Sequence, residues 1–308
     1  MLTVGMQTRF GLLRSRGLPG GVAADPPERA AESGDRASDL ADRATDALIA
    51  EALLTPKPAL VDRRGSGAHR DLDLSLLLRS AAALRAGFRH MAACAAGRSP
   101  SQPLREELAW IGRDAEQQML AATGGSNAHR GAIWILGLLV AARRMSGESA
   151  AVLEVADLAA RIARLPDRFA PAAARSNGSR ACEKYDVPGA RGEARDGFPH
   201  VMKIGLPALH RARESGVSET HAQLDALMAI MAHLPDTCLL HRGGLTALEA
   251  AQSGARAVME AGGSSTAKGW RALLALDADL LARWASPGGA ADLLAACLFL
   301  DGSDQWKS

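Results

Sequence analysis

"DLADRATDALIAEALL" at residues 39–54 and "LDLSLLLRSAAALRAGFRHMAACAA" at residues 72–96 decide the fold. In the first, Leu40, Ala44, Leu48 and Ala52 recur four apart, which lays one apolar stripe along an α-helix. The second is apolar on most faces, as a helix at the centre of a bundle must be. Between them lies "TPKPALVDRRGSGAHRDLD" (55–73), with two prolines, two glycines, five basic side chains and three aspartates. Pro56 disfavours right-handed helical geometry at Thr55, so the first helix stops there.

The same helical signature returns near 103–122, 131–144, 148–164, 200–214, 218–233, 244–261, 268–284 and 289–300, separated by Gly/Pro/Ser punctuation. No segment alternates as a strand does, and no period of 20–50 residues recurs. Residues 165–190 read as a long surface connection. Residues 1–38, rich in Gly, Pro, Ser and charge, read as a disordered leader, and 303–308 as a tail. This leaves 39–302 as a single large all-α catalytic domain. Composition agrees: 47% of the 308 residues are apolar but only 4% aromatic, and Ala and Leu dominate.

Charge and cysteine content narrow the function. Basic residues number 36 against 34 acidic, a net +2, which gives no basis for wholesale nucleic-acid or membrane binding. Cys94, Cys182, Cys238 and Cys297 form no CxxC pair and read as free thiols of a cytoplasmic protein. The most apolar run, "GAIWILGLLVAA" (131–142), falls short of the ~18–20 residues a membrane span requires. "GGSSTAKG" (262–269) lacks the second glycine and the Ser/Thr of a P-loop, and there is no HExxH and no GxSxG.

What remains is a set of charged, glycine-rich segments between helices: 55–73, "TGGSNAHRGA" (123–132), "VPGARGEARDGFP" (187–199), "DTCLLHRGG" (236–244) and "SPGGAAD" (286–292). Each has a plain structural reading. Asp71 reads as a helix N-cap with Asp73 in the first turn, His69 and His129 as hydrogen-bonded loop histidines, Cys238 as structural, and Met228 and Met231 as core. Their combination asks for more. Helix connections in bundles usually take ~2–8 residues, and ordering a longer one needs a compensating contact. Glycines let backbone N–H groups approach a ligand, and Arg and Lys match phosphate oxygens. Aspartates beside them are tolerated by a polyphosphate only with a cation between, so the pattern points to a magnesium–polyphosphate site.

The blocks "EALLTPKPALVDRRGSGAHRDLDL" (51–74), "GGSNAHRGAIWILGLLVAA" (124–142), "GARGEARDGFP" (189–199), "LPDTCLLHRGG" (234–244) and "SPGGAADLLA" (286–295) resemble, in order, the triphosphoribosyl-dephospho-coenzyme A synthase family. The resemblance covers the chain after about residue 40 and favours the malonate decarboxylase branch over the citrate lyase branch. The chain departs from the family pattern at Ala59, usually glycine, and at Ala128, Arg130 and Cys238. The resemblance implies that ATP and 3′-dephospho-coenzyme A give the 2′-triphosphoribosyl adduct and adenine. The adduct is the precursor of an acyl carrier protein's prosthetic group and passes to an acyl-carrier-protein-modifying transferase. Under this reading Glu193 and Asp71 are the catalytic carboxylates and Asp62 and Asp73 the magnesium ligands. Lys57, Arg63, Arg64, His69, Arg70, Asn127, His129, Arg130, Arg191 and Arg242 hold the phosphates of ATP and the coenzyme. A homodimer is expected from the Ala-rich helical surface. The alternatives are a magnesium-dependent nucleotide or ADP-ribose N-glycosidic hydrolase, and a non-catalytic helical partner of the decarboxylase complex.

Overall fold

A computed structural model describes residues 27–147, 149–170 and 176–302. Twelve helices run through them, and the described residues contain no strand, only an isolated bridge between Asp62 and Gly65. They are α1 (Pro27–Leu53), α2 (Leu74–Ala95), α3 (Gln102–Ala122), α4 (Arg130–Ser146), α5 (Val152–Arg164), α6 (Asn177–Tyr185), α7 (Gly189–Arg195), α8 (Leu206–Glu214), α9 (Glu219–His233), α10 (Thr237–Glu260), α11 (Ala267–Ala282) and α12 (Gly288–Asp301). A π-helical turn, Val201–Gly205, leads directly into α8. The all-α, single-domain expectation holds, and no helix among the described residues is long and apolar enough to cross a membrane.

The core is built around α4, α9 and α12. Leu136, Leu139 and Val140 on α4, Leu224 and Leu227 on α9, and Leu294 and Leu298 on α12 are buried on several helical faces. Such all-round apolarity marks a helix enclosed by others. α12 packs against α4, α1 and α9, and α1 lies on α2. Two of them, α4 and α12, begin at Arg130 and Gly288, and Asp292 of α12 meets Ala132 N of α4, so these two N-termini carry polar groups to one end of the core.

Four boundaries differ from the sequence expectation. α1 begins at Pro27, so 27–38 is helical rather than leader; a proline suits a first helical turn, and Ala37 is buried in the core. The rest of the expected leader, 1–26, and the tail, 303–308, lie outside the described residues. Within the expected connection 165–190, α6 forms, capped by the Ser176 side chain on Ser179 N, while 171–175 lies outside the described residues. Residues 189–195, expected to be irregular, are helix α7. Finally, α10 starts at Thr237, capped by Asp236, and not at 244.

The glycine read as a separator, Gly244, breaks α10 from within. Its φ of 67° and ψ of −160° belong to a backbone region essentially closed to residues with a Cβ. A Cβ there would also stand 3.3 Å from the Tyr185 hydroxyl. Gly244→Ala is therefore expected to lower unfolding free energy by about 2 kcal/mol in urea titration, with the helical circular-dichroism signal retained.

Candidate active site

The connection 55–73 is ordered by its own charges. Lys57 is 1% exposed; its ammonium donates to Glu51 Oε1 and to Glu51 O, each at 2.6 Å. Asp62 accepts from Lys57 N (2.9 Å), Arg64 N (2.7 Å) and Arg64 Nε (2.9 Å). Arg64 continues to Asp277 Oδ2 on α11 at 2.6 Å and to Lys57 O at 3.1 Å. The other Asp277 oxygen accepts Ala59 N at 2.8 Å. Asp277 and Asp62 together raise the Arg64 pKa against the burial that opposes it.

Asp62 and Asp73, the expected magnesium ligands, do not fit a resident metal. The Asp62 oxygens are taken by Lys57 and Arg64, and Asp73 Oδ1 caps α2 through Leu76 N at 2.8 Å. Among the described residues no three His, Cys, Asp or Glu side chains gather as a metal-binding group.

A polar junction forms where this connection meets the starts of α4, α10 and α12. Asp236 caps α10 through Cys238 N (2.7 Å) and bridges to α12 through Ala290 N (2.9 Å). Asp292, on the first turns of α12, accepts from Ala132 N at the start of α4. Gly131 makes this approach feasible, because a Cβ there would lie 2.0 Å from Asp292 Oδ2. Desolvation, together with the charges of Glu51 and Asp236, pushes the Asp292 carboxyl well above the usual carboxylate range. Desolvation also raises Asp236, against backbone donors that pull it down. His129, 4% exposed, shares a 2.7 Å hydrogen bond with Ser80 through Nδ1. Its buried Nε2 has no partner among the described residues. Burial and the neighbouring Lys57 charge lower its pKa to about 4, so the ring is neutral.

The open side of the junction holds His69, Arg70, Asp71 and Arg242. Arg242 donates to Ala68 O (3.0 Å) and reaches His69 Nδ1 (3.1 Å), tying α10 to the 55–73 connection. Burial, and then the Arg242 charge, lower the His69 pKa to about 4. The remaining expected residues are dispersed. Arg63 and Arg191 are exposed, Asn127 accepts from Arg130 N at 3.2 Å, and Arg130 Nε is paired with Glu116 at 2.6 Å. Glu193, on α7, is paired with His200. Its two oxygens hold His200 N (2.8 Å) and His200 Nδ1 (2.7 Å), and its charge acts on Cys297 farther along α12. Sequence reasoning missed Glu51, Asp236, Asp277 and Asp292. The signal available for Asp292 was its place at the end of the "SPGGAAD" segment.

The geometry defines a class: an all-helical protein whose inter-helix segments gather a neutral histidine, a raised carboxyl and several cations at one end of the core. Across residues 37–308 the sequence matches the family model described as ATP:dephospho-CoA triphosphoribosyl transferase (CitG). A relative from Azotobacter vinelandii, named probable 2-(5''-triphosphoribosyl)-3'-dephosphocoenzyme-A synthase, is 57% identical over 83% of this chain and 88% of its own length. One from Klebsiella pneumoniae, named 2-(5''-triphosphoribosyl)-3'-dephosphocoenzyme-A synthase, is 54% identical over 82% of this chain and 90% of its own. No solved structure matches the chain at significant similarity. The chain belongs to the ATP:dephospho-CoA triphosphoribosyl transferase family.

Ala59, where the resembled pattern has glycine, sits at φ 53°, fully buried. Left-handed backbone is costly for alanine, so Ala59→Gly is expected to raise stability by about 1 kcal/mol, read as a higher urea midpoint at unchanged slope. His129 gives a pH signature. Its folded pKa of about 4 lies below the ordinary histidine value of 6.5, so between those pH values the unfolded chain binds the extra proton. Its contribution to stability is intact above pH 6.5 and is lost as pH falls toward 4, by about 1.4 kcal/mol per pH unit at most. His129→Gln should remove that increment, seen as a shallower acid limb in thermal melts across this range.

Proposed function

We propose that the chain moves the 5-triphosphoribosyl group of ATP onto the 2′-hydroxyl of 3′-dephospho-coenzyme A and releases adenine. The observation that carries this reading is the family match over nearly the whole chain. The ATP N-glycosidic bond breaks, a bond forms between the anomeric carbon and the 2′ oxygen, and the hydroxyl proton is finally matched by one on the departing adenine. Such a transfer passes through an oxocarbenium-like state, which a carboxylate stabilises and a neutral acid assists.

Asp71 is exposed on the open side of the junction, suited to accept the hydroxyl proton. Asp292, whose pKa burial and neighbouring carboxylates raise, is suited to stay protonated and to assist the departing adenine. Glu193, with both oxygens held by His200, suits positioning better than proton transfer. The unpartnered His129 Nε2 is a further contact for the reacting group. Magnesium enters with ATP as part of the substrate. The adduct would serve as a prosthetic-group precursor passed to an acyl-carrier-protein-modifying transferase. The setting would be cytoplasmic, and the malonate decarboxylase branch is favoured.

Purified protein incubated with ATP, magnesium and 3′-dephospho-coenzyme A should release adenine and form the adduct by mass analysis. Asp71→Asn should remain folded and lose about 10²-fold in kcat. Free triphosphoribose in place of the adduct would instead identify a hydrolase. Absence of adenine release would identify a non-catalytic partner.

A further inference from the structure

Two adjoining recesses open beside the junction and share Arg242. The larger, about 490 Å³, lies between α6 and the first arm of α10 and is lined by Arg180, Lys184, Tyr185, His241, Arg242 and Gly244. None of its lining residues is acidic. The smaller, about 360 Å³, is lined by Ala68, Arg70, Asp71, Arg242 and Trp284.

Trp284 is out of place by the ordinary rules of helix ends. Trp284 N donates to Leu281 O (3.0 Å) and Ala285 N to Leu280 O (3.1 Å), the paired bonds that close a helix on a left-handed residue. That residue is usually glycine; here it is a tryptophan at φ 52°, a genuine outlier for a bulky side chain. Burial does not offset the strain, because Trp284 is 51% exposed. One face of its ring carries the Arg70 guanidinium, 4.8 Å from the ring centroid. A strained position therefore presents an aromatic ring to a recess, beside a carboxylate and a cation that leads into a chamber lined by Arg180, Lys184 and His241 and by no acidic residue.

We propose that Trp284 is the base-stacking platform of an adenosine 5′-polyphosphate site. The purine lies on Trp284, Asp71 accepts a ribose hydroxyl, and the phosphates run past Arg242 toward Arg180 and Lys184. Aromatic rings bind purines through stacking, and guanidinium groups bind phosphate in fixed geometry. The proposal deepens the transfer reading and rests on it for the choice of ligands, since both ATP and 3′-dephospho-coenzyme A carry this adenosine polyphosphate.

The test compares full-length wild type, Trp284→Gly and Trp284→Phe by calorimetric titration with magnesium–ATP, with 3′-dephospho-coenzyme A and with tripolyphosphate, each alone. Trp284→Gly removes the backbone strain, so its Tm should rise by about 2 °C. The same variant should bind one of the two nucleotides about tenfold more weakly, with tripolyphosphate affinity unchanged, and Trp284→Phe should recover most of the loss. Whichever nucleotide weakens is the occupant. Equal losses for nucleotide and tripolyphosphate, or no loss for either nucleotide, overturn the proposal. Single-ligand titration involves no turnover, so a chain that binds with this selectivity yet makes no adduct keeps the stacking site and refutes the transfer reading.

Discussion

Asp277 on α11 is the contact on which the charged connection depends. One oxygen takes Ala59 N and the other takes Arg64, which in turn grips Asp62 and Lys57 O. A connection this long between packed helices loses much conformational entropy on ordering, and a few hydrogen bonds to ionised groups compensate only if each partner is satisfied. Here they are, down to the buried Lys57–Glu51 pair. The charges are spent largely on the connection itself, and its shape then delivers Ala68, His69, Arg70 and Asp71 to the neighbouring start of α10.

The helix starts set the electrostatics of the junction. Free N–H groups at a helix start favour negative charge, and Asp236 and Asp292 both accept from such groups. Yet both carboxyls are desolvated, and Asp292 also faces Glu51 and Asp236. Burial outweighs what the backbone donors recover, so both carboxyls shift toward the neutral form, Asp292 the further of the two. The result is a carboxyl of raised pKa and a neutral imidazole at one polar end of an apolar core, with Arg70 and Arg242 toward the open side.

Much of this was legible in the sequence. The helices at 72–96, 131–144 and 289–300 announce themselves through apolar residues on most faces, and the structure places α2, α4 and α12 there. α7 and the first arm of α10 were hidden because their glycines read as punctuation, whereas Gly192 lies within a helix and Gly244 bends one. Charge was the signal that both helped and misled. It located the end of the molecule where polar groups gather, but Asp62 is taken up locally by Lys57 N and Arg64, and Arg64 reaches Asp277 across the fold, a tertiary pairing no spacing rule reveals. Asp277 was missed for the opposite reason: it lies in an otherwise ordinary helical run.

The break at Gly244 divides α10 into two arms with separate loyalties. The short arm, with His241 and Arg242, is pinned at one end by Asp236 to α12 and along its side to Ala68. Beyond the break, α10 continues to Glu260, where Gln252 and Arg256 bond back to carbonyls at the end of α9. Mechanically the pair resembles a splint with one articulation: the distal arm is locked into the core through Ala251, Ala255 and Val258, and the joint lets the short arm take its own direction, so that Arg242 follows Asp236 and Ala68 rather than the axis of the long arm.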